Sequence, residues 1–331
     1  MLHALLDGAR HPGAKIWLLV QHEAMTETSS RALAAITALL ERPLGVVDVG
    51  CRWGFAEAWF ALADRVRLAG FDSDEQECLR LRDCYAQMPN VQIVGSSLDR
   101  RRRLRTVHRT ANPGCSSLYR PEALLVDQVP ELKDITPTGA LRVRTTTLDR
   151  WRRRSRWGPV DFIKADVQGA ELDVLRGARA TLRDVVLMEL EVEFNAIYNN
   201  QPLFGAIDAF ARGRGFQLWR LSNLVHYTRA GTPAHAPIAD THYCDSRPTA
   251  WQSPGGQLFW AHALFAARDV VELTSTDWQR PLRAGCLAAT LGLPDLALRA
   301  WQGALRLAPG ASATALEQAF DTYRQGHAGG P

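Results

Sequence analysis

Long apolar runs are missing from this 331-residue sequence. The longest near its start, Ile16–Val20, is too short for a signal h-region or a membrane span, so the chain is expected to act in the cytoplasm. Cysteine is sparse: Cys51, Cys78, Cys84, Cys115, Cys244 and Cys286 form no Cys-x-x-Cys pair and have no His/Cys spacing suited to zinc. That excludes a zinc-ribbon module, and a chain of this length needs no disulfide framework, so the six are read as reduced thiols. No aromatic-basic recognition motif accompanies the arginines, which weighs against nucleic acid as partner. A Gly-x-Gly-x-x-Gly dinucleotide fingerprint is also lacking.

What remains is ordinary globular composition, 46% hydrophobic and 22% charged with a formal net charge of +4, enough for one large core plus an appendage. Met1 to Glu27 has no clear period and reads as an extension. Ser29 and Ser30 offer an N-cap to a helix bearing Leu33, Ile36, Leu39 and Leu40 and ending before Pro43. Strand-like and helix-like segments then alternate. Strands are expected at 44–49, 66–71, 91–94, 141–145, 160–165 and 185–190, and helices at 55–63, 75–87, 170–182 and 204–212. The segments 216–221 and 224–227 flank Ser222-Asn223 as a hairpin. This alternation predicts a mostly parallel sheet covered on both faces, with an antiparallel edge. Ala230 to Pro254 reads as a long loop. The segments 282–291 and 296–307 resemble one tetratricopeptide-type helical hairpin, which alone can only cap the main domain. The expected organisation is an N-terminal helical extension (1–42), a main domain (43–229) and a loop with a C-terminal helical appendage (230–331).

Two segments carry chemistry. In Val46-Val47-Asp48-Val49-Gly50-Cys51-Arg52-Trp53-Gly54 an apolar strand ends in an acid and turns through glycines that would let backbone approach a ligand. Asp72 closes the next strand about 20 residues on, where an acid can bond both ribose hydroxyls of an adenosine cofactor. Arg52 occupies the second glycine position of a dinucleotide turn, so a cofactor without pyrophosphate fits better. In Ile163-Lys164-Ala165-Asp166-Val167-Gln168-Gly169-Ala170-Glu171, Lys164 and Asp166 fall on one side of a strand end, and Glu171 lies in the first turn of the next helix. A buried ion pair and a helix-capping glutamate would leave the same trace.

Taken together these segments, with Leu175-Arg176-Gly177, Thr147-Leu148-Asp149 and Leu187-Met188-Glu189, resemble the FkbM-family methyltransferases from about Leu44 to Tyr227, and more weakly through Gly256-Gln257-Leu258-Phe259-Trp260 to Leu264-Phe265. The resemblance implies the class I methyltransferase (Rossmann-like) fold, a seven-stranded sheet with a terminal antiparallel hairpin, and S-adenosyl-L-methionine as cofactor. It implies that Asp48, Gly50 and Gly54 line the methionine end and that Asp72 holds the ribose. Ser73 stands where the family has proline, and Arg52 where it often has asparagine. Ser97 and Asp99 fall at the adenine. Ser116, Ser117 and Tyr119 lie in a loop that covers the site in relatives and are candidates for acceptor contacts. An alcohol acceptor needs a base: Asp166 is the first candidate, with Glu189 and Glu171 in reserve and Lys164 orienting. The resemblance implies O-methylation of a sugar, glycan or polyketide-like hydroxyl. Alternatives are a binding or scaffold protein on a degenerate methyltransferase fold, or a nucleic-acid or protein methyltransferase. The Asn/Asp-Pro-Pro-aromatic motif of amino-group methylation is absent. Two arginine-rich segments, Asp99–Arg109 and Asp149–Arg156, are either solvated faces or a basic surface for an anionic or carrier-linked acceptor.

Overall fold

The computed structural model describes residues 26–231, 238–244, 247–253 and 255–327. The expected extension over residues 1–25 lies outside the described residues. Helix α1 (Glu27–Ala38) is capped by Thr26, one residue type and three positions earlier than the expected serine, its hydroxyl accepting the Ser29 amide at 3.1 Å. It leads into β1 (Leu44–Val49), buried at every position as a central parallel strand must be. The expected helix over 55–63 is instead a 3₁₀ segment, Glu57–Arg65, broken by Ala63 at φ 48°. Its buried Trp59 and Leu62 are three apart, the repeat of that tighter helix. Then follow β2 (Val66–Asp72), α2 (Glu75–Cys84, capped by Asp74) and β3 (Val91–Gly95).

An excursion comes next. β4 (Leu104–Thr110) pairs antiparallel with β5 (Pro137–Arg144), and the loop between them carries α3 (Ala123–Gln128). Leu125, Val129, Leu132, Ile135, Ile197, Tyr198 and Phe259 form a second, smaller core beneath this loop. α4 (Leu148–Ser155), capped by Thr147, returns the chain to β6 (Phe162–Ala165). α5 is shorter than expected, Glu171–Arg176, followed by a 3₁₀ turn at Thr181–Arg183. β7 (Leu187–Glu193) runs three residues past its expected end, and α6 (Phe204–Arg212) has its expected bounds.

The expected hairpin at Ser222-Asn223 does not form. β8 (Phe216–Tyr227) is one continuous strand, and Asn223 at φ 52° sits in it where the register with its partner shifts. Asn tolerates that left-handed conformation in a bulge as readily as in a turn. The antiparallel partner comes from beyond residue 230. A two-stranded ribbon, β9 (Ile238–Cys244) with β10 (Arg247–Ser253), occupies most of what read as loop, and β11 (Gln257–Ala267) then inserts between β7 and β8. The expected boundary at 229/230 therefore cuts through the main sheet. Its order is β3-β2-β1-β6-β7-β11-β8, with β11 antiparallel to both neighbours and the first five parallel.

α7 (Arg268–Val271) leads to α8 (Gln279–Thr290), α9 (Pro294–Leu305) and a third helix the sequence reading missed, α10 (Gly310–His327). α10 returns to α1, where Ser29 Oγ meets His327 Nδ1 at 3.2 Å. Leu282, Trp301 and Tyr323 belong to the same hydrophobic core as Ile36, Val47 and Leu187, so these helices are a wall of the main domain. Among the described residues no helix is long and apolar enough to cross a membrane.

Candidate active site

Side chains alternate along strands, and the parallel register aligns Asp48 with Lys164 and Lys164 with Glu189. These three form a polar row on one face of the sheet. One step toward the carboxyl ends, Asp166 follows β6, and Glu191 stands opposite His262 of β11. Glu193 lies a further step along β7. The neighbouring positions Val47, Ile163, Met188 and Leu190 are fully buried and supply the apolar face. The site is thus the carboxyl edge of the sheet, where open α/β sheets keep theirs.

Lys164 Nζ lies 3.5 Å from Asp48 Oδ1 and 3.8 Å from Asp166 Oδ2. Burial opposes its charge, but Asp48, Asp166, Glu189 and Glu191 together raise its pKa. Burial would raise Asp166 too; Lys164 and His262 outweigh it and leave Asp166 below the usual carboxylate range. Asp48 and Glu189 are raised by burial, only partly offset by Lys164. Gln168 Nε2 donates to Asp166 Oδ1 at 3.0 Å and to Glu191 Oε2 at 2.6 Å. Tyr198 Oη lies 3.0 Å from Gln168 Oε1 and 2.8 Å from the Cys115 carbonyl. Burial lowers His262 to about 4, so its ring is neutral at neutral pH, with Nδ1 3.2 Å from Asn223 Nδ2.

Glu171 is fully buried, and its Oε1 accepts the Val167 amide at 2.8 Å and the Gly169 amide at 3.3 Å, fastening the loop after β6. Its Oε2 and Glu193 Oε2 are buried without hydrogen-bond partners. Both carboxyls are pushed up by burial, Glu193 to about 7. Between the ordinary glutamate range and about pH 7 the folded chain therefore keeps a proton at Glu193 that the unfolded chain has released. This contribution to stability is full below that range and lost as pH rises through about 7. Glu193→Gln is expected to raise Tm above about pH 7 and reduce its fall with pH. Thermal melts across that window check this, and an unchanged slope would remove Glu193 from the account.

The turn after β1 holds Gly50, Trp53 and Gly54 at positive φ. The expectation that these glycines make room for a ligand needs correction. A Cβ at Gly50 would collide with the Asp166 carbonyl, and one at Gly54 with the Tyr85 hydroxyl. Their conformation and the packing of the protein on itself require them. Arg52 pairs with Asp74 at 2.9 Å, and Asp72 Oδ1 accepts the Asp74 amide at 2.7 Å. Ser73 directly follows β2 and is half-buried. Arg52 Nε and Ser97 Oγ are buried without partners, and Asp48 Oδ1 has the Lys164 ammonium as its neighbour. Polar atoms left open at the ends of β1, β2 and β3 fit an adenosine-type cofactor with an amino-acid tail.

Asp99 has other work. It is fully buried, accepts from Arg103 Nε at 2.6 Å and lies 3.5 Å from Arg105, which takes its carboxylate away from an adenine ring. The loop of Ser116, Ser117 and Tyr119 packs on the segment after β6 and on α5, tied there by its hydroxyls. Ser117 Oγ donates to the Gln168 carbonyl at 2.6 Å, Tyr119 Oη to Asp173 Oδ2 at 2.9 Å, and Ser116 Oγ lies 3.4 Å from Thr110 Oγ1.

Sequence reasoning thus found Asp48, Lys164, Asp166, Glu171 and Glu189, and the structure brings them together. It missed Glu191, Glu193 and His262. The first two were legible as every second residue in Glu189-Leu190-Glu191-Val192-Glu193, the period of one strand face.

Counting only the strands of the main sheet in chain order, they run 3-2-1-4-5-7-6 with the seventh antiparallel. That order, with a polar edge at the ends of strands 1, 2, 4 and 5, defines a class I methyltransferase. Residues 91–218 match the family model of the methyltransferase FkbM domain, and the chain is an S-adenosylmethionine-dependent methyltransferase. It is 26% identical over 197 residues to the 2-O-methyltransferase NoeI of Sinorhizobium fredii, covering 54% of this chain and 79% of the relative. Among solved structures, the magnesium protoporphyrin IX methyltransferase of Synechocystis PCC 6803 with bound S-adenosylmethionine is 10% identical. The match covers 80% of this chain and 96% of that one at a TM-score of 0.32. A SAM-dependent methyltransferase from Agrobacterium tumefaciens is 9% identical over 72% and 61% of the two chains, at a TM-score of 0.33.

Proposed function

We propose that this chain transfers a methyl group from S-adenosylmethionine to a hydroxyl oxygen of a sugar, glycan or polyketide-like natural product. The observation that carries the reading is the polar edge itself. Asp48, Lys164, Glu189, Asp166 and Glu191 converge on one face of the sheet, beside the strand ends that bear Asp72 and Ser97. The name of the relative, a 2-O-methyltransferase, points to oxygen as acceptor. Asp72 would bond the ribose hydroxyls, Asp48 and the Gly50–Gly54 turn would flank the methionine end, and Ser97 would face the adenine. When bound, the cofactor supplies an electrophilic methyl on a sulfonium. The residues of the chain hold the acceptor oxygen in line and receive its proton within the carboxylate group at the edge. The free thiols of Cys51, Cys78, Cys115 and Cys286 support a reducing, cytoplasmic setting.

The test is incubation with methyl-labelled S-adenosylmethionine and a panel of mono- and oligosaccharides. Label in an alkali-stable methyl ether is the expected product. Label only in protein, in nucleic acid or in an alkali-labile ester would overturn the oxygen-on-glycan reading.

The arginines bear on the acceptor. Arg103 pairs with Asp99, Arg105 with Asp99 and Asp173, and Arg152 with Asp184, so part of each cluster is structural. The acid of the second cluster, Asp149, turns inward to Thr181 at 2.7 Å. Arg102, Arg153 and Arg154 stay exposed, and with Arg154 foremost their charges depress the pKa of Arg150. The two clusters therefore meet on one basic surface, which supports an anionic acceptor. Reversing charge at Arg102, Arg150 and Arg154 is expected to raise KM for an anionic sugar acceptor at low salt. The effect should fade as salt screens it beyond about 10 Å at 0.1 M. Equal kinetics at low salt would return this surface to a solvated face.

A further inference from the structure

We infer that Glu191, with Asp166 as its ionised partner, takes the proton of the acceptor hydroxyl, and that the positive charge of the arriving cofactor empties Glu191 to do so. The inference rests on the proposed use of S-adenosylmethionine at this edge.

The geometry sets two carboxyls against each other under one clamp. Gln168 holds a left-handed backbone at φ 58°. Its side-chain oxygen faces the Tyr198 hydroxyl and its nitrogen bonds Asp166 at 3.0 Å and Glu191 at 2.6 Å. Two carboxyls brought this close share a site that cannot easily hold two negative charges. Their surroundings decide which ionises. Asp166 has the Lys164 ammonium at 3.8 Å. Glu191 is 8% exposed and faces Glu193 on its own strand, Glu171 from α5 and neutral His262 from β11, with Tyr198 and Tyr227 nearby. The groups that weigh most on Glu191 are the neighbouring carboxyls, and its proton affinity rises with burial and with Asp166. Asp166, held ionised by Lys164, is a poor proton acceptor and a good partner. Glu191, raised by burial and by Asp166 beside it, has the higher proton affinity of the two and is the one that holds a proton in the protein alone.

A sulfonium entering beside this pair adds one positive charge, which favours the ionised form. Glu191 then gives its proton to solvent and stands ready. In turnover its carboxylate accepts the hydroxyl proton as the acceptor oxygen bonds to the methyl carbon. The electron pair of the breaking sulfur–carbon bond leaves on sulfur. The product is a neutral thioether, so Glu191 keeps that proton until the next sulfonium expels it. One proton leaves per methyl transferred, as the overall reaction requires.

The test is calorimetry of S-adenosylmethionine and S-adenosylhomocysteine binding in buffers of different ionisation enthalpy, which counts protons and needs no acceptor. Near neutral pH, S-adenosylmethionine is expected to release up to about one proton more than the thioether. Glu191→Gln should abolish that difference and weaken S-adenosylmethionine relative to the thioether, since the charge that answers the sulfonium is gone, and Glu193→Gln should retain the difference. Asp166→Asn removes the negative partner and should move the release to lower pH, which serves if Glu191→Gln does not fold. Equal proton counts for the two ligands in the wild type, or an unchanged difference in Glu191→Gln, would overturn the inference with the cofactor reading intact. Absence of S-adenosylmethionine binding would overturn the cofactor reading and this inference with it.

Discussion

Asp72→Ala is expected to lose S-adenosylmethionine by about 10²-fold or more. Two charge-assisted hydrogen bonds to ribose hydroxyls disappear, each about 1.5–3 kcal/mol, and tenfold in affinity is about 1.4 kcal/mol. The fold should survive. Asp72 is the last residue of β2, nearly buried at 9% exposure, and its pKa is raised by burial, so the folded chain carries it at a cost that a ligand would repay. Its internal bond is to the Asp74 amide, at the start of α2, where Asp74 itself supplies the cap. Titration calorimetry on the wild type and the mutant, with circular dichroism of both, separates the outcomes. Unchanged affinity in a folded mutant would move the ribose away from Asp72 and reopen the whole cofactor placement.

Asp161→Asn should produce the largest loss of stability. Asp161 is fully buried just ahead of β6. Its carboxylate accepts from Arg42 at 2.6 and 2.8 Å and from the Gly45 amide at 2.8 Å, and lies 3.1 Å from Arg283 on α8. One charge therefore joins the segment after α1, the start of β1, the start of β6 and the C-terminal helices. Neutralising it leaves two guanidiniums facing each other with Asp277, 3.7 Å from Arg283, as a remaining counter-charge, a loss of about 3–5 kcal/mol. Urea unfolding reads it directly. A change under about 1 kcal/mol would show that water reaches both arginines and that the helices are held without this charge.

The parallel half of the fold was legible because its strands are short apolar runs bounded by turn residues, and of the expected strands only 141–145 falls outside the main sheet, paired antiparallel with β4 instead. The antiparallel half was not. Ser222-Asn223 has the chemistry of a hairpin turn, yet the left-handed Asn223 sits in a bulge, where its side chain meets His262. No local signal separates these uses; the partner strand decides, and β11 arrives some 30 residues later. α10 was missed because its pattern is weak: its buried residues Leu316, Ala319, Phe320 and Tyr323 meet a wall formed by α1 and α9, which no single segment reveals.

The site divides in the same way. Acids at strand ends could be read one by one, since the end of a parallel strand is a place the sequence marks. What those acids do depends on pairs across strands. Lys164 binds Asp48 from β1 as well as Asp166 on its own segment, and Gln168 spans Asp166 and Glu191. Asp99 looked like a cofactor residue by position and is instead the anchor for Arg103, because five arginines follow it within the next six residues and a buried acid takes the nearest guanidinium. Gly50 and Gly54 marked the turn correctly, for a reason that lies in the packing of Asp166 and Tyr85 against them.

The measurement that bears most directly on the account is native mass spectrometry of the purified chain with added S-adenosylmethionine and, separately, with NAD. One molecule of S-adenosylmethionine per chain is expected, displaced by S-adenosylhomocysteine, and no NAD adduct, since Arg52 occupies the turn where a pyrophosphate would need backbone alone. A chain that takes up NAD and leaves S-adenosylmethionine in solution would contradict it.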